Sequence, residues 1–417
     1  MRTVPARGRL LVVTFLVVVS TVGWRRAQYF SGSLDPVVMA KGLLSFLALG
    51  LAYSAARRNT VRRPLGSGSL WPLAALLTGS VYGAFTYGTV ISSGVVAVRV
   101  LVVGLTVRLL LRIGTAEEIF TALAWSCGAI GLTAAVTGWP TRSAGRLAGG
   151  IPPLTPNELA LLAAIVILYV CWRGLFGRPS WSGGAAGVCA LGIMWVTDSR
   201  TALLVLVLAL VVMVLQVRRP GVGLVAGGLL AVGVGGVILL ASGAASGFLQ
   251  RGQTGTSTLD SRMIAWRAAG TWAPTLWQTA FGGGLSVKII QVPGQWWTQQ
   301  PLDSSWVSLF VQTGVVGFGI AAAWVLWTLR GALRAPRELR ALLLAALIFF
   351  VGRSLLESGL FDATPAFLGF FAISLLVEGG TRDRLRNELS PPCAAPSGPT
   401  CPRSMPADHD LALTAPA

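Results

Sequence analysis

The chain has 417 residues, of which 54% are hydrophobic and only 12% charged. A soluble domain carries about 25% charged residues, so this composition excludes an ordinary water-soluble globule and points to a polytopic membrane protein. The net charge of +18 does not call for a nucleic-acid partner, because membrane proteins collect Lys and Arg in their cytoplasmic loops.

Arg2, Arg7 and Arg9 precede the apolar run LLVVTFLVVVSTVGW, as in a signal peptide. No small-x-small cleavage pattern follows, and another apolar segment comes at once, so the run reads as a retained first helix. A spanning helix takes about 17–25 mostly apolar residues. Twelve segments qualify: about 9–24, 36–55, 70–89, 94–111, 118–137, 157–172, 183–197, 200–216, 221–243, 304–327, 340–353 and 363–378. Those at 183–197 and 340–353 are short enough to be tilted or re-entrant. The expected fold is an all-α integral membrane protein of about 12 transmembrane helices over residues 1–380. One long extracytoplasmic loop, at about 244–303, carries short helices.

The arginines test this count. With the N-terminus inside, Arg57, Arg58, Arg62, Arg63, Arg112, Arg173, Arg178, Arg218, Arg219, Arg330, Arg334, Arg337 and Arg340 all fall on the cytoplasmic side, which places both termini in the cytoplasm. Ten basic residues remain outside: Arg25, Arg26, Arg142, Arg146, Arg200, Arg251, Arg262, Arg267, Lys288 and Arg353. Arg25, Arg26 and Arg251 fit solvated loop positions. Lys41, Arg99 and Arg108 fall within spans, where a cation either snorkels to an interface or faces a cavity. Arg108 lies near the cytoplasmic end and fits snorkelling, while Lys41 and Arg99 are open to both readings.

Six places on the outer side are candidates for chemistry. Thr155 is a suitable N-cap, with Pro156 at the first helical position and Glu158 completing a capping box; Asn157 and Glu158 either serve that cap alone or face a ligand. Asp198-Ser199-Arg200 opens the eighth span, where a helix N-terminus beside a guanidinium makes an anion site or, more simply, a local cap and ion pair. Residues 258–269 read as a short helix, with Asp260 or Ser261 as N-cap. Arg262 and Arg267 are about 140° apart on it and so do not serve one site. Gly282, Gly283 and Gly284 form either a plain turn or a close approach of backbone to phosphate or sugar. Trp296 and Trp297 either stack on a sugar or anchor at the interface. Asp303 precedes the tenth span and is either its N-cap or a general base; a capping role lowers a carboxyl's pKa and weakens it as a base.

From residue 381 the chain contains seven prolines and no apolar periodicity, so 381–417 reads as a disordered, Pro-rich cytoplasmic tail. The only histidine, His409, lies there, which leaves no histidine base in the membrane body. Cys127, Cys171 and Cys189 sit in apolar segments and Cys393 and Cys401 in the tail, a spacing that fits neither a metal site nor a disulfide framework.

The ordered set resembles the O-antigen ligase and O-antigen polymerase superfamily of polytopic membrane glycosyltransferases. The matching pieces are Thr155-Pro156-Asn157-Glu158-Leu159-Ala160, Asp198-Ser199-Arg200-Thr201-Ala202-Leu203-Leu204, Asp260-Ser261-Arg262 with Trp266, Gly282 to Gly284, and Asp303-Ser304-Ser305-Trp306 ahead of Gly314-Val315-Val316-Gly317. The resemblance spans about residues 30–380. It implies a bacterial cytoplasmic-membrane enzyme in cell-envelope polysaccharide biosynthesis. Such an enzyme moves a glycan from a polyprenyl diphosphate such as undecaprenyl diphosphate to a hydroxyl of a glycan or glycolipid acceptor, without cofactor or metal. It further implies that Arg200 and Arg262 contact the donor diphosphate and that Asp303 stands where ligases carry the histidine of a His-Asn pair. That departure favours a polymerase or another branch over a lipopolysaccharide-type ligase. Asn157, Arg267, Gly282, Gly284 and Trp297 are the further candidate substrate-binding residues. A lipid-linked glycan flippase or other transporter is the rival reading, and the three basic residues within spans are compatible with it.

Overall fold

The computed structural model describes residues 4–25, 35–59, 63–141, 146–217, 258–292 and 298–389. The first half runs α1 Val4–Thr21, α2 Pro36–Arg58, α3 Leu70–Tyr87, α4 Val90–Ile113, α5 Ala116–Gly138, α6 Pro156–Leu175, α7 Trp181–Thr197 and α8 Arg200–Leu215. Then come α9 Thr258–Gly270, α10 Leu276–Phe281 and a two-stranded antiparallel hairpin, β1 Ile289–Gln291 with β2 Gln299–Pro301, in which Ile290 pairs with Gln300. The chain closes with α11 Ser305–Leu333, α12 Arg337–Ser354, α13 Pro365–Leu376 and α14 Gly379–Leu389. Eleven of the twelve expected spans coincide with helices, and the ninth, at 221–243, lies outside the described residues.

Local chemistry starts several of these helices, and the box at Thr155 and Glu158 is the one the sequence showed. Asp35 caps α2 ahead of Pro36, Thr115 and Glu118 close a capping box on α5, and Thr155 and Glu158 close another on α6. Each cap satisfies N–H groups that the first helical turn leaves without partners.

Among the described residues, five helices are long and apolar enough to cross a membrane: α2, α4, α5, α6 and α11. Shorter apolar helices lie at Gly8–Thr21, Trp181–Thr197, Arg200–Leu215 and Pro365–Leu376. The packing is the reverse of a soluble protein's. Small residues such as Ala48, Ala52, Ala134, Ala160, Ala164, Ala209 and Ala345 are buried completely, while Leu43, Trp71, Ile91, Leu204 and Leu215 are more than 70% exposed. Small side chains let helix backbones approach, and large apolar ones facing outward suit a lipid surround. Helix α13 is buried on every face and forms part of the centre against α4, α12 and α11.

Helix α11 is not continuous. Gly314 has φ 65° and ψ −168°, which breaks the helix. The break leaves the carbonyls of Val311 and Gln312 without their helical donors, and the N–H groups of Gly283 and Gly284 take them at 2.9 and 3.0 Å. Backbone broken at membrane depth must find partners inside the protein. Here the stretch after α10 supplies them.

Two expectations change. Helix α9 is described from Thr258, so Asp260 and Ser261 lie within the helix rather than at its cap. The tail is not featureless from 381: α14 runs to Leu389, with Arg384 buried and donating to the carbonyls of Leu111 and Gly114, both at 2.7 Å. Free carbonyls at the end of α4 attract a cation, and that contact outweighs the polar composition of the segment. Residues 390–417 lie outside the described residues.

Candidate functional site

The polar residues expected on the outer side come together at one end of the bundle, around Glu357 in the connection between α12 and α13. Glu357 Oε1 accepts from Asn157 Nδ2 at 2.6 Å and from Arg262 Nη2 at 3.1 Å. Its other oxygen lies 4.0 Å from Nη2 of the buried Arg353. Arg262 Nε in turn stands 3.7 Å from Asp303 Oδ2. Four separated segments thus meet through these side chains.

Each member is held by its own element. Asn157 sits in the first turn of α6, fixed by the Thr155 cap. Its Oδ1 accepts from Arg146 at 3.2 Å and from Ser199 Oγ at 3.0 Å, and its backbone carbonyl accepts from Arg353 at 3.3 Å. Arg146 also donates to the Thr197 carbonyl at the end of α7. Ser199 is the N-cap residue of α8, so its bond to Asn157 brings the start of that helix, and with it Arg200, to this end of the bundle. Glu357 is positioned through its backbone: Ser305 N and Oγ both donate to its carbonyl, at 3.2 and 2.8 Å. That ties the start of α11, and so Asp303, to the α12–α13 connection.

Ser304, not Asp303, caps α11, accepting from Val307 N. Asp303 is therefore released from the role that would weaken it as a base. Burial pushes its carboxyl above the ordinary aspartate value; the neighbouring Arg262 opposes the rise and Glu357 adds to it. A half-buried carboxylate so raised, beside a guanidinium that can take developing negative charge, is suited to accept a proton from a hydroxyl.

The other expected residues divide. Arg267 is exposed on α9, away from Arg262 as the 140° separation requires. Gly282 and Gly284 pack rather than present free backbone: their φ values are 77° and 98°, and added side chains would run into Gln312 and Ser93. Gly282 N donates to Gln278, and Gly283 and Gly284 donate into the α11 break, so the N–H groups of this cluster are already engaged and it does not form a phosphate loop. It is wedged between α3, α4 and α11, with Leu285 N donating to Ser80 Oγ and Thr89 Oγ1 donating to the Gly283 carbonyl. Trp296 and Trp297 lie outside the described residues.

Glu357 is the central residue to which the sequence alone assigned no role. The signal was electrostatic: an outer side rich in arginine and poor in acids needs its few carboxylates as partners, and Glu357 stands four residues after the outer Arg353.

A second ion pair lies at the same end. Lys288 Nζ meets Asp362 Oδ2 at 2.6 Å. Burial alone would raise the Asp362 carboxyl, but Lys288, Arg99 and the Ala363 N–H outweigh it and bring it to about 2. The opposite end of the bundle carries the expected cytoplasmic arginines: Arg178 pairs with Glu117 and Glu338, and Arg337 donates to the Gln216 carbonyl.

No protein-family model matches this chain, and no curated protein sequence matches it.

Proposed function

We propose that this protein is a membrane glycosyltransferase that moves a glycan from a polyprenyl diphosphate to an acceptor hydroxyl at the outer face of the bacterial cytoplasmic membrane, as a polysaccharide polymerase or a related transferase. The observation that carries the reading is Asp303: uncapped, raised by burial, and 3.7 Å from Arg262 in a cluster shared with Glu357 and Asn157. Its chemistry matches the role that the resemblance gives it. In the proposed step the acceptor oxygen attacks the anomeric carbon while Asp303 takes its proton. The bond from that carbon to the diphosphate oxygen breaks, the anomeric centre inverts, and the lipid diphosphate leaves with the electron pair. Arg262 and Arg200 offset the charge that grows on the leaving group. Twelve spans with both termini in the cytoplasm put this cluster on the outer side.

In the structure Arg262 is balanced by Glu357 and Asp303. A bound diphosphate competes with Glu357 for the guanidinium, so substrate entry itself strips Asp303 of part of its counter-charge and makes it a stronger base.

A transporter of a lipid-linked glycan is the second reading, favoured by the broken α11 helix, since unwound helices line transport sites. The two are separated by purified protein in nanodiscs supplied with a lipid-diphosphate glycan and an acceptor. Release of lipid diphosphate with formation of a new glycosidic bond supports the transferase. Movement of the intact lipid-linked glycan without bond cleavage overturns it.

A further inference from the structure

At the end of the bundle opposite the proposed catalytic cluster, a groove runs between α2 and α4. Its deeper part, about 450 Å³, is lined by Phe46, Leu49 and Gly50 of α2 and by Leu105, Arg108 and Arg112 of α4. It continues toward the helix ends into a second space of about 300 Å³, lined by Arg57, Asn59 and again Arg112. Tyr53 and Leu109 line both parts. Within each helix these positions recur at spacings of three and four, so they share one face. Only 22% of the apolar stretch of α2 is buried, so the groove opens to the surround of the bundle.

The groove has a charged end and an apolar end. Arg57 and Arg112 lie in the last turns of their helices, and Arg108 lies one turn deeper. From these arginines the apolar lining runs toward the middle of the bundle: Phe46 is about 16 Å along α2 from Arg57, and Leu105 about 10 Å along α4 from Arg112. None of the three guanidinium groups pairs with a carboxylate among the described residues. Glu378 is the acid whose charge reaches Arg108, and it is held by the N–H groups of Gly68 and Ser69 and by Ser69 Oγ, at 2.6–2.9 Å. Arg108 Nε is buried with no partner. The Arg57 guanidinium lies over the Tyr53 ring at 4.7 Å, a stacking that orients it and leaves its N–H edge open. Unpaired cations at the mouth of an apolar groove match an anionic headgroup with a hydrocarbon chain attached, and basic pockets between membrane helices hold such headgroups. Three arginines on two helices and two levels exceed what one phosphodiester engages.

We infer that this groove is a binding site for a glycerophospholipid carrying two phosphates. Arg57, Arg108 and Arg112 take the headgroup, and one acyl chain lies over Gly50 between Phe46 and Leu105. In the proposed topology the lipid belongs to the inner leaflet. The inference does not depend on glycan transfer.

The test uses the full chain in detergent, with lipid binding read by native mass spectrometry and by melting temperature. Tetraoleoyl cardiolipin is the probe, with dioleoyl phosphatidylglycerol, dioleoyl phosphatidylcholine and inorganic phosphate as comparison arms. Wild type is expected to bind cardiolipin at least about tenfold more tightly than Arg108→Gln, the loss expected for one charged hydrogen bond. It should also prefer cardiolipin over both other lipids. Gly50→Leu should weaken cardiolipin about tenfold, equivalent to keeping two methylenes out of the groove. Without lipid it should melt no lower than wild type, because a side chain added at Gly50 meets open space. Equal cardiolipin affinity of wild type and Arg108→Gln overturns the site. A loss in Arg108→Gln with none in Gly50→Leu overturns the groove and leaves only a basic patch. Equal binding of phosphatidylglycerol overturns the two-phosphate assignment, and equal binding of phosphatidylcholine overturns the role of charge. Displacement of cardiolipin by equimolar inorganic phosphate overturns the lipid in favour of a free anion.

Discussion

The two ends of the helix bundle both gather arginines, yet they hold them differently. At the end carrying α14, arginines bond mainly to backbone: Arg384 to Leu111 and Gly114, Arg337 to Gln216, Arg173 to the Arg178 carbonyl. These are helix ends whose last carbonyls lack partners, and a cation there is a general solution. At the other end Arg262, Asn157, Ser199, Asp303 and Glu357 bond or pair side chain to side chain across α6, α8, α9 and the approaches to α11 and α13. Only about 10–15% of protein hydrogen bonds are of that kind. Contacts of the first sort answer to topology and tolerate exchange. Those of the second sort fix particular groups at particular distances, which chemistry needs and topology does not.

Substitutions sharpen this contrast. The largest effect is expected from Arg262→Ala and Arg200→Ala, each lowering glycan transfer roughly a thousandfold through loss of charge stabilisation, read as release of lipid diphosphate by purified protein. Asp303→Asn is expected to lower it roughly a hundredfold or more. Because burial disfavours the ionised Asp303 carboxyl, the same variant should melt higher than wild type at neutral pH. The sign also predicts a wild-type rate that falls as pH drops through the raised Asp303 value, measured as an acid limb shifted upward from that of an ordinary aspartate. A variant that loses activity and stability together would show that Asp303 is only a structural partner of Arg262.

Glu357→Gln should cost about 3 kcal/mol of stability, since it leaves Arg262 and Arg353 without their shared carboxylate, with a loss of activity through misplaced Arg262; denaturant melts and transfer assays on one preparation separate the two. Asp362→Asn should cost roughly 2 kcal/mol, the equivalent of the drop of its carboxyl from 3.8 to about 2. That stabilisation is present above the ordinary carboxylate value and is lost as pH falls toward about 2, so the gap between wild type and variant should close in acid melts. At the opposite end, Arg178→Ala should change stability by less than about 1 kcal/mol, because its pair with Glu117 is partly exposed. Transfer should be unchanged; a large loss there would erase the distinction between the ends.

Much of this was legible in the residues themselves. Apolar runs marked eleven helices that the structure describes, because hydropathy and length act within one segment. The capping box at Thr155 and Glu158 was readable for the same reason, its partners being three residues apart. The arginines do sort by end of the bundle: Arg63 and Arg112 meet at one end while Arg146 and Arg262 meet Asn157 and Glu357 at the other. The glycine cluster misled because a phosphate loop and a packing wedge share one composition; the difference lies in what stands opposite, and here that is the α11 break.

The sequence by itself determined the apolar segments and the capping box that opens α6, both properties of neighbouring residues. Only the tertiary structure decided which acid meets which arginine. Glu357 reaches Arg262 across 95 residues and Asn157 across 200, and no local pattern encodes such a pairing. It likewise decided that Ser304 rather than Asp303 caps α11. Neighbouring residues offer equally good caps, and which of them serves depends on how the segment before α11 packs, with Ser305 bonded to the Glu357 carbonyl beside it.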